Sequence, residues 1–169
     1  MKTNLLILAL YLTAFDVLSD SYERMPFESY SIESSYISEI RDLYKVAPIN
    51  NSACNQLYEL SRNIIGNNND PLLQGYYISA MLFKSKHEKN PIKKYSLFKN
   101  ASTELDELIN KNMYSVEMRF LRYNIQNNAP RFLGYIDNIK EDYEFILNNI
   151  NKEREDVREF ILSILKKIE

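Results

Sequence analysis

Asp70 to His87 reads DPLLQGYYISAMLFKSKH, and this stretch decides the fold class. Aspartate followed by proline is a helix start, because the carboxylate accepts from the first free N–H groups and proline presets the first helical φ. Leu72, Leu73, Tyr76, Tyr77, Ala80, Leu82 and Phe83 follow at helical spacing. They spread so widely around the axis that the helix is expected to be covered on two sides and to sit centrally.

Working outward, the same periodicity recurs in both directions. Ile32, Tyr36, Ile40, Leu43 and Tyr44 predict a helix from Ser31 to Lys45, ended by Pro48. Cys54, Leu57, Tyr58, Ser61, Ile64 and Ile65 predict a second from about Ser52 to Ile65, which Gly66 is expected to close in the left-handed conformation. Beyond His87, Asn90-Pro91 repeats the start signal, and Tyr95, Phe98, Ser102, Leu105 and Ile109 form a narrow seam. A fifth helix, Ser115 to Asn127, carries apolar residues on two sides and also looks sandwiched. Pro130 opens a further segment with an expected break at Gly134, because Asn138 and Glu141 have capping-box spacing for a new start that runs to about Asn149. Val157, Phe160, Ile161, Ile164, Leu165 and Ile168 stripe a last helix from about Lys152 to Ile168. With 3 glycines and 5 prolines in 169 residues, strand-rich folds that turn every ~8–12 residues are disfavoured. The expectation is one all-α domain over 31–169, its antiparallel hairpins stacked as a short helical array or irregular bundle of tetratricopeptide-like character.

N-x-P-x-apolar-x-G-Y occurs at Asn69 to Tyr76 and again at Asn128 to Tyr135. Start chemistry alone accounts for the cap and proline, and the spacing exceeds the ~34–47 residues usual for a helix-pair repeat, which argues against duplication. The Gly-Tyr part goes beyond start chemistry, and glycine there predicts close approach of a neighbouring helix. At these residues a resemblance emerges. Asp70-Pro71-Leu72-Leu73, Gly75-Tyr76, Asn90-Pro91, Glu117-x-Arg119-x-Leu121-Arg122, Gln126 and Phe132-Leu133-Gly134-Tyr135 resemble small uncharacterised exported proteins of Bacteroidota. The resemblance implies a helical, signal-bearing protein and transfers no catalytic residue.

The chain opens with Lys2 and the apolar run LLILALYLTAF, Leu5 to Phe15. That run suits a secretory h-region of about 7–15 residues and falls short of the ~20 needed to span a bilayer. Residues 1–19 are therefore expected to be a signal peptide and 20–30 an irregular lead-in, which places the protein in the periplasm or outside the cell. Cys54 is the only cysteine, so no intramolecular disulfide forms, and its helical apolar position reads as a small buried hydrophobe.

Charge and motif content rank the function classes. A net charge of −2 offers no overall field for nucleic acid, and none is expected as a partner. His87 is the only histidine, and Pro91 occupies the place of the second ligand of a helical zinc motif. Glycines at 66, 75 and 134 write neither a P-loop nor a dinucleotide fingerprint, so no cofactor or metal is expected. Glu104 with Glu107 and Glu141 with Glu144 have the spacing of a solvated helix face, which leaves a weak glycan-cleaving activity as the least favoured class.

Two binding constellations remain. Lys84, Lys86, Lys89, Lys93, Lys94 and Lys99 cluster about one turn, whereas residues 20–83 hold 4 basic and 8 acidic groups. Such a turn beside Tyr95 suits an acidic protein, a glycan or peripheral contact with an anionic membrane, although a solvated face is the favoured reading. Arg119 and Arg122 suit a carboxylate or phosphate, with Gln126 nearby and Tyr135 able to fold back on them. The alternative is that Glu117, Asp137 or Glu141 neutralises them internally. Tyr76 and Tyr77 offer a core face or a binding face. The leading expectation is an exported binding or scaffolding domain for a protein or peptide of the cell envelope, with an anion- or glycan-binding domain as runner-up.

Overall fold

The computed structural model describes residues 27–66 and 69–166, with side chains from residue 35. The expected signal at 1–19, the lead-in up to residue 26, the turn at 67–68 and the helix tail at 167–169 lie outside them. The chain forms two compact units, Met1–Ile37 and Ser38–Glu169. The described part of the first is helical from Phe27.

The fold is all-α. Helix α1 (Phe27–Val46) starts four residues before the expected Ser31. Residues 27–30 are thus helical and not part of an irregular lead-in. Then come α2 (Asn51–Ile65), α3 (Pro71–His87), α4 (Pro91–Lys111) and α5 (Val116–Asn128). A 3₁₀ turn at Arg131–Leu133, α6 (Ile139–Asn149), a second 3₁₀ turn at Ile150–Lys152 and α7 (Glu155–Leu165) complete it. Among the described residues no helix is long and apolar enough to cross a membrane.

The starts follow local chemistry. Asn50 Oδ1 accepts from the Ala53 N–H at 3.0 Å, Asp70 Oδ1 from Leu72 at 2.8 Å, and Asn90 Oδ1 from Ile92 and Lys93 at 3.0 and 3.1 Å. Each meets donors that the first helical turn leaves free. The chain doubles back at short connections, so that α2 packs on α3, α3 on α4 and α5 on α6, while α3 also lies on α5. The contact between α3 and α5 is close at Gly75, where a Cβ would stand 3.3 Å from Leu121 Cδ1. Tyr44, Tyr76, Phe83, Phe120 and Phe160 fill the centre, and Tyr44 meets Tyr76 edge to face at 5.5 Å between ring centres. Helix α3 is central as expected, but α5 is more enclosed, with every residue from Val116 to Gln126 buried.

Three local expectations are corrected. Gly66 ends α2 in right-handed geometry, φ −54°. The left-handed glycine is Gly134, φ +68°, where the chain leaves its 3₁₀ turn. The two Gly-Tyr sites therefore differ: Gly75 serves close helix packing, Gly134 serves a turn, and no shared local structure supports a duplication. Helix α6 starts at Asn138 without its capping box, because Asn138 Oδ1 accepts from Gln126 Nε2 at 3.3 Å and Glu141 reaches Arg119.

These geometries separate two glycines of similar exposure. Gly134→Ala is expected to cost about 1–2 kcal/mol because an L residue is strained at that φ. Gly66→Ala, with no nearby atom under 3.5 Å, is expected to stabilise by about 0.4–1 kcal/mol. Urea denaturation of both variants checks the contrast, and equal effects would contradict it.

Candidate functional site

Helix α5 is buried yet carries Glu117, Arg119 and Arg122, so each charge needs an internal partner. Arg122 lays its guanidinium fork on Asp142, Nε to Oδ2 at 2.7 Å and Nη2 to Oδ1 at 2.8 Å. Asp142 is 0% exposed. Arg119 Nη1 donates to Asp142 Oδ1 and to Glu141 Oε1, both at 2.9 Å, and its Nε donates to the Met113 carbonyl at 2.7 Å. The Tyr135 hydroxyl does fold back: it donates to Asp106 Oδ1 at 2.9 Å, the oxygen that also faces Arg122 Nη1 at 3.4 Å.

A second knot lies along the same helix. Glu117 accepts both arms of Arg41, each at 2.7 Å, and the Tyr76 hydroxyl at 2.5 Å. The remaining Arg41 nitrogen donates to Asp156 Oδ2 at 2.7 Å. Burial, with the Glu117 carboxylate beside it, pushes the Tyr76 phenol well up. Glu117 thus serves Arg41 instead of Arg119 or Arg122, and Asp137 forms no ion pair with either arginine. The acid that closes the arginine pair is chiefly Asp142.

The sequence-expected binding residues accordingly divide. Arg119, Arg122, Tyr135 and Tyr76 are buried and internally engaged, and Gln126 is buried with its Nε2 bonded to Asn138 while its Oε1 has no hydrogen-bond partner among the described residues. Tyr77 stays part-exposed beside Tyr58, with hydroxyls 3.4 Å apart, and that hydrogen bond pushes its phenol up to about 12. Lys84 lies over the Tyr58 ring at 4.0 Å. Lys86, Lys89, Lys93, Lys94 and Lys99 are exposed. Cys54 is buried with its thiol pushed up by burial, and His87 Nε2 sits 3.3 Å from the Ala47 carbonyl oxygen.

Periodicity alone did not reveal an apolar cleft of about 390 Å³ bounded by the end of α3, the start of α4, the end of α5 and the 3₁₀ turn after it. Its floor is Phe83, Phe98 and Ile125, and its lips carry Tyr95, 56% exposed, and Phe132, 86% exposed. Polar side chains in it point their donors into the fold. Ser85 Oγ donates to the Leu82 carbonyl at 2.6 Å, Asn124 Nδ2 to Tyr44 Oη at 3.0 Å, and Asn128 Nδ2 to the Asn124 carbonyl at 2.7 Å. Lys86 and Lys94 stand on the lip, and no carboxylate lines the cleft. The lysine cluster was the part visible in the sequence; the groove it borders needed four elements to meet.

No protein-family model, curated protein or solved structure matches this chain.

Breaking a buried pair costs much more than breaking an exposed one, since the remaining charge has no water. Asp142→Asn is expected to lower stability by about 3–5 kcal/mol, and Glu141→Gln, at 65% side-chain exposure, by less than about 1 kcal/mol. Arg119 holds the Glu141 carboxyl below its ordinary range. Asp156, despite desolvation that would raise it, is likewise held low by the hydrogen bond and charge of Arg41. A depressed folded pKa means the contribution is present above the unfolded value of about 4 and is lost as pH falls through the lower folded value. Urea midpoints at successive pH values are expected to drop in that acid range. A midpoint that stays flat down to full protonation would contradict the pairing.

Proposed function

We propose that this chain is an exported binding or scaffolding domain that recognises a protein or peptide of the cell envelope through the apolar cleft. The observation that carries the reading is the cleft itself. Large aromatic side chains stand open to water at its lips, and its inner polar groups are already bonded. Exposed aromatic surface around a concavity favours association, because covering it removes apolar area from water. At about 390 Å³, near the lower end of the ~300–1,000 Å³ range of ligand sites, the cleft suits one or two anchoring side chains.

The alternative, an anion or glycan held by Arg119 and Arg122, is weakened because Asp142 already occupies both guanidinium groups. Glycan cleavage finds no carboxylate pair in the cleft. The periplasmic or secreted location and the likeness to exported Bacteroidota proteins enter this reading through the first nineteen residues and the quoted motifs.

Selection of a random peptide library on the intact domain tests the proposal. Ala129 lies in extended backbone at the mouth, so Ala129→Trp is expected to fill the cleft without unfolding the helices. Selected peptides should bind the parent domain at least about tenfold more tightly than this variant or Phe132→Ser, the loss usual for a buried aromatic anchor. Failure to enrich any peptide, or equal binding to all three proteins, would refute it. Mass spectrometry of the mature N-terminus is expected to show loss of residues 1–19, and an intact start after expression in a secreting host would refute export.

A further inference from the structure

The partner's chemistry follows from the charge around the cleft, an inference that rests on the groove reading above. Between residues 84 and 99 the chain has six lysines and one acid, Glu88. Glu88 is already engaged: its Oε1 accepts from the Asn90 N–H at 2.8 Å, and that bond holds its carboxyl low, with Lys93 and Lys94 adding to the effect. Among the described residues no carboxylate pairs with Lys86, Lys89, Lys93 or Lys94. Arg131, exposed on the opposite 3₁₀ turn, adds the same sign.

The lysines are also badly placed for the helix that bears them. The first turn of α4 holds Lys93 and Lys94 and no acid. The aligned peptide dipoles make a helix N-terminus positive, so cations there are disfavoured and anions are favoured. The cationic lip therefore gains when an acidic group approaches. The cleft between the lips gains when an apolar group enters.

We propose that the cleft receives an acidic amphipathic helix of a partner protein. One large apolar side chain sits over Phe98 between Tyr95 and Phe132, and carboxylates about one turn away meet Lys86 and Lys94. A helix is the fitting form because no sheet edge exists among the described residues to pair with an extended peptide, whereas apolar and acidic residues three or four apart share one helix face.

The test uses the full domain and three fluorescein-labelled helical 16-residue peptides. One carries Leu and Phe a turn apart with flanking glutamates, a second replaces the glutamates by lysine, and a third replaces Leu and Phe by alanine. Anisotropy is expected to show binding of the acidic peptide alone, weakened several-fold between about 50 and 300 mM salt. Lys86→Glu combined with Lys94→Glu is expected to cut that affinity at least about tenfold and to confer binding of the lysine peptide, with the melting temperature not lowered, because an acid in the first turn of α4 suits the helix dipole. Equal binding of the acidic and lysine peptides to the parent domain would overturn the charge assignment and leave the groove reading standing. Binding that ignores the alanine replacement, or that survives Ala129→Trp, would overturn both. Saturable binding of dodecanoate, abolished by Ala129→Trp, with no binding of any peptide would assign the cleft to lipid and overturn the proposal.

Discussion

Helix α5 must bury charge, and the rest of the structure is arranged around that constraint. Glu117, Arg119 and Arg122 lie on a helix with no open side from Val116 to Gln126. An unpaired charge in such surroundings costs several kcal/mol, so each needs a partner with good geometry. Those partners come from everywhere: Arg41 on α1, Tyr76 on α3, Asp106 on α4, Asp142 on α6 and, through Arg41, Asp156 on α7. Apolar packing tolerates small slips, whereas a two-armed arginine–carboxylate contact does not. The ion pairs thus set how the helices stack, while the aromatic cluster supplies the area removed from water.

This arrangement also redistributes the candidates for function. Residues best suited in isolation to hold an anion, the two arginines, are already paired with Asp142 within the core. Lys86, Lys89, Lys93 and Lys94, more ordinary as recognition groups, are exposed and form no ion pair among the described residues. They border a cleft whose floor is apolar because its serine and asparagines bond inward. Two lysines at the head of α4 conflict with that helix's own dipole, and a local conflict of this kind is more common where a surface meets a partner than where it meets only water.

Much of the fold was legible because helix starts are written locally. Asp70-Pro71 and Asn90-Pro91 need no distant information, and both caps form with the expected donors. Readings that depended on one residue's choice among options fared less well. Gly66 is permitted a left-handed turn but does not take it, and Asn138 is drawn away from its cap by Gln126, twelve positions earlier. The apolar residues of α5 show a sandwiched helix, and Glu141 meets Arg119 as its spacing allows, but the main partner of both arginines is Asp142, which no local pattern marks. Asp142 lies 20 positions from Arg122 and Glu117 lies 76 from Arg41, and nothing local selects them over Glu141 or Asp137. The cleft was hidden for the same reason. Phe83, Phe98 and Ile125 each read as core residues, and only the assembled fold leaves a gap among them that Tyr95 and Phe132 border.

Amide hydrogen exchange along α5 is the most direct measurement of this account. If the buried charge network ties α5 to its neighbours, the amides after the first turn of this helix exchange only when the whole domain unfolds, while those of the 3₁₀ turn at Arg131–Leu133 exchange by local opening. Exchange from α5 at a free energy well below that of global unfolding would contradict the claim that this helix holds the fold together.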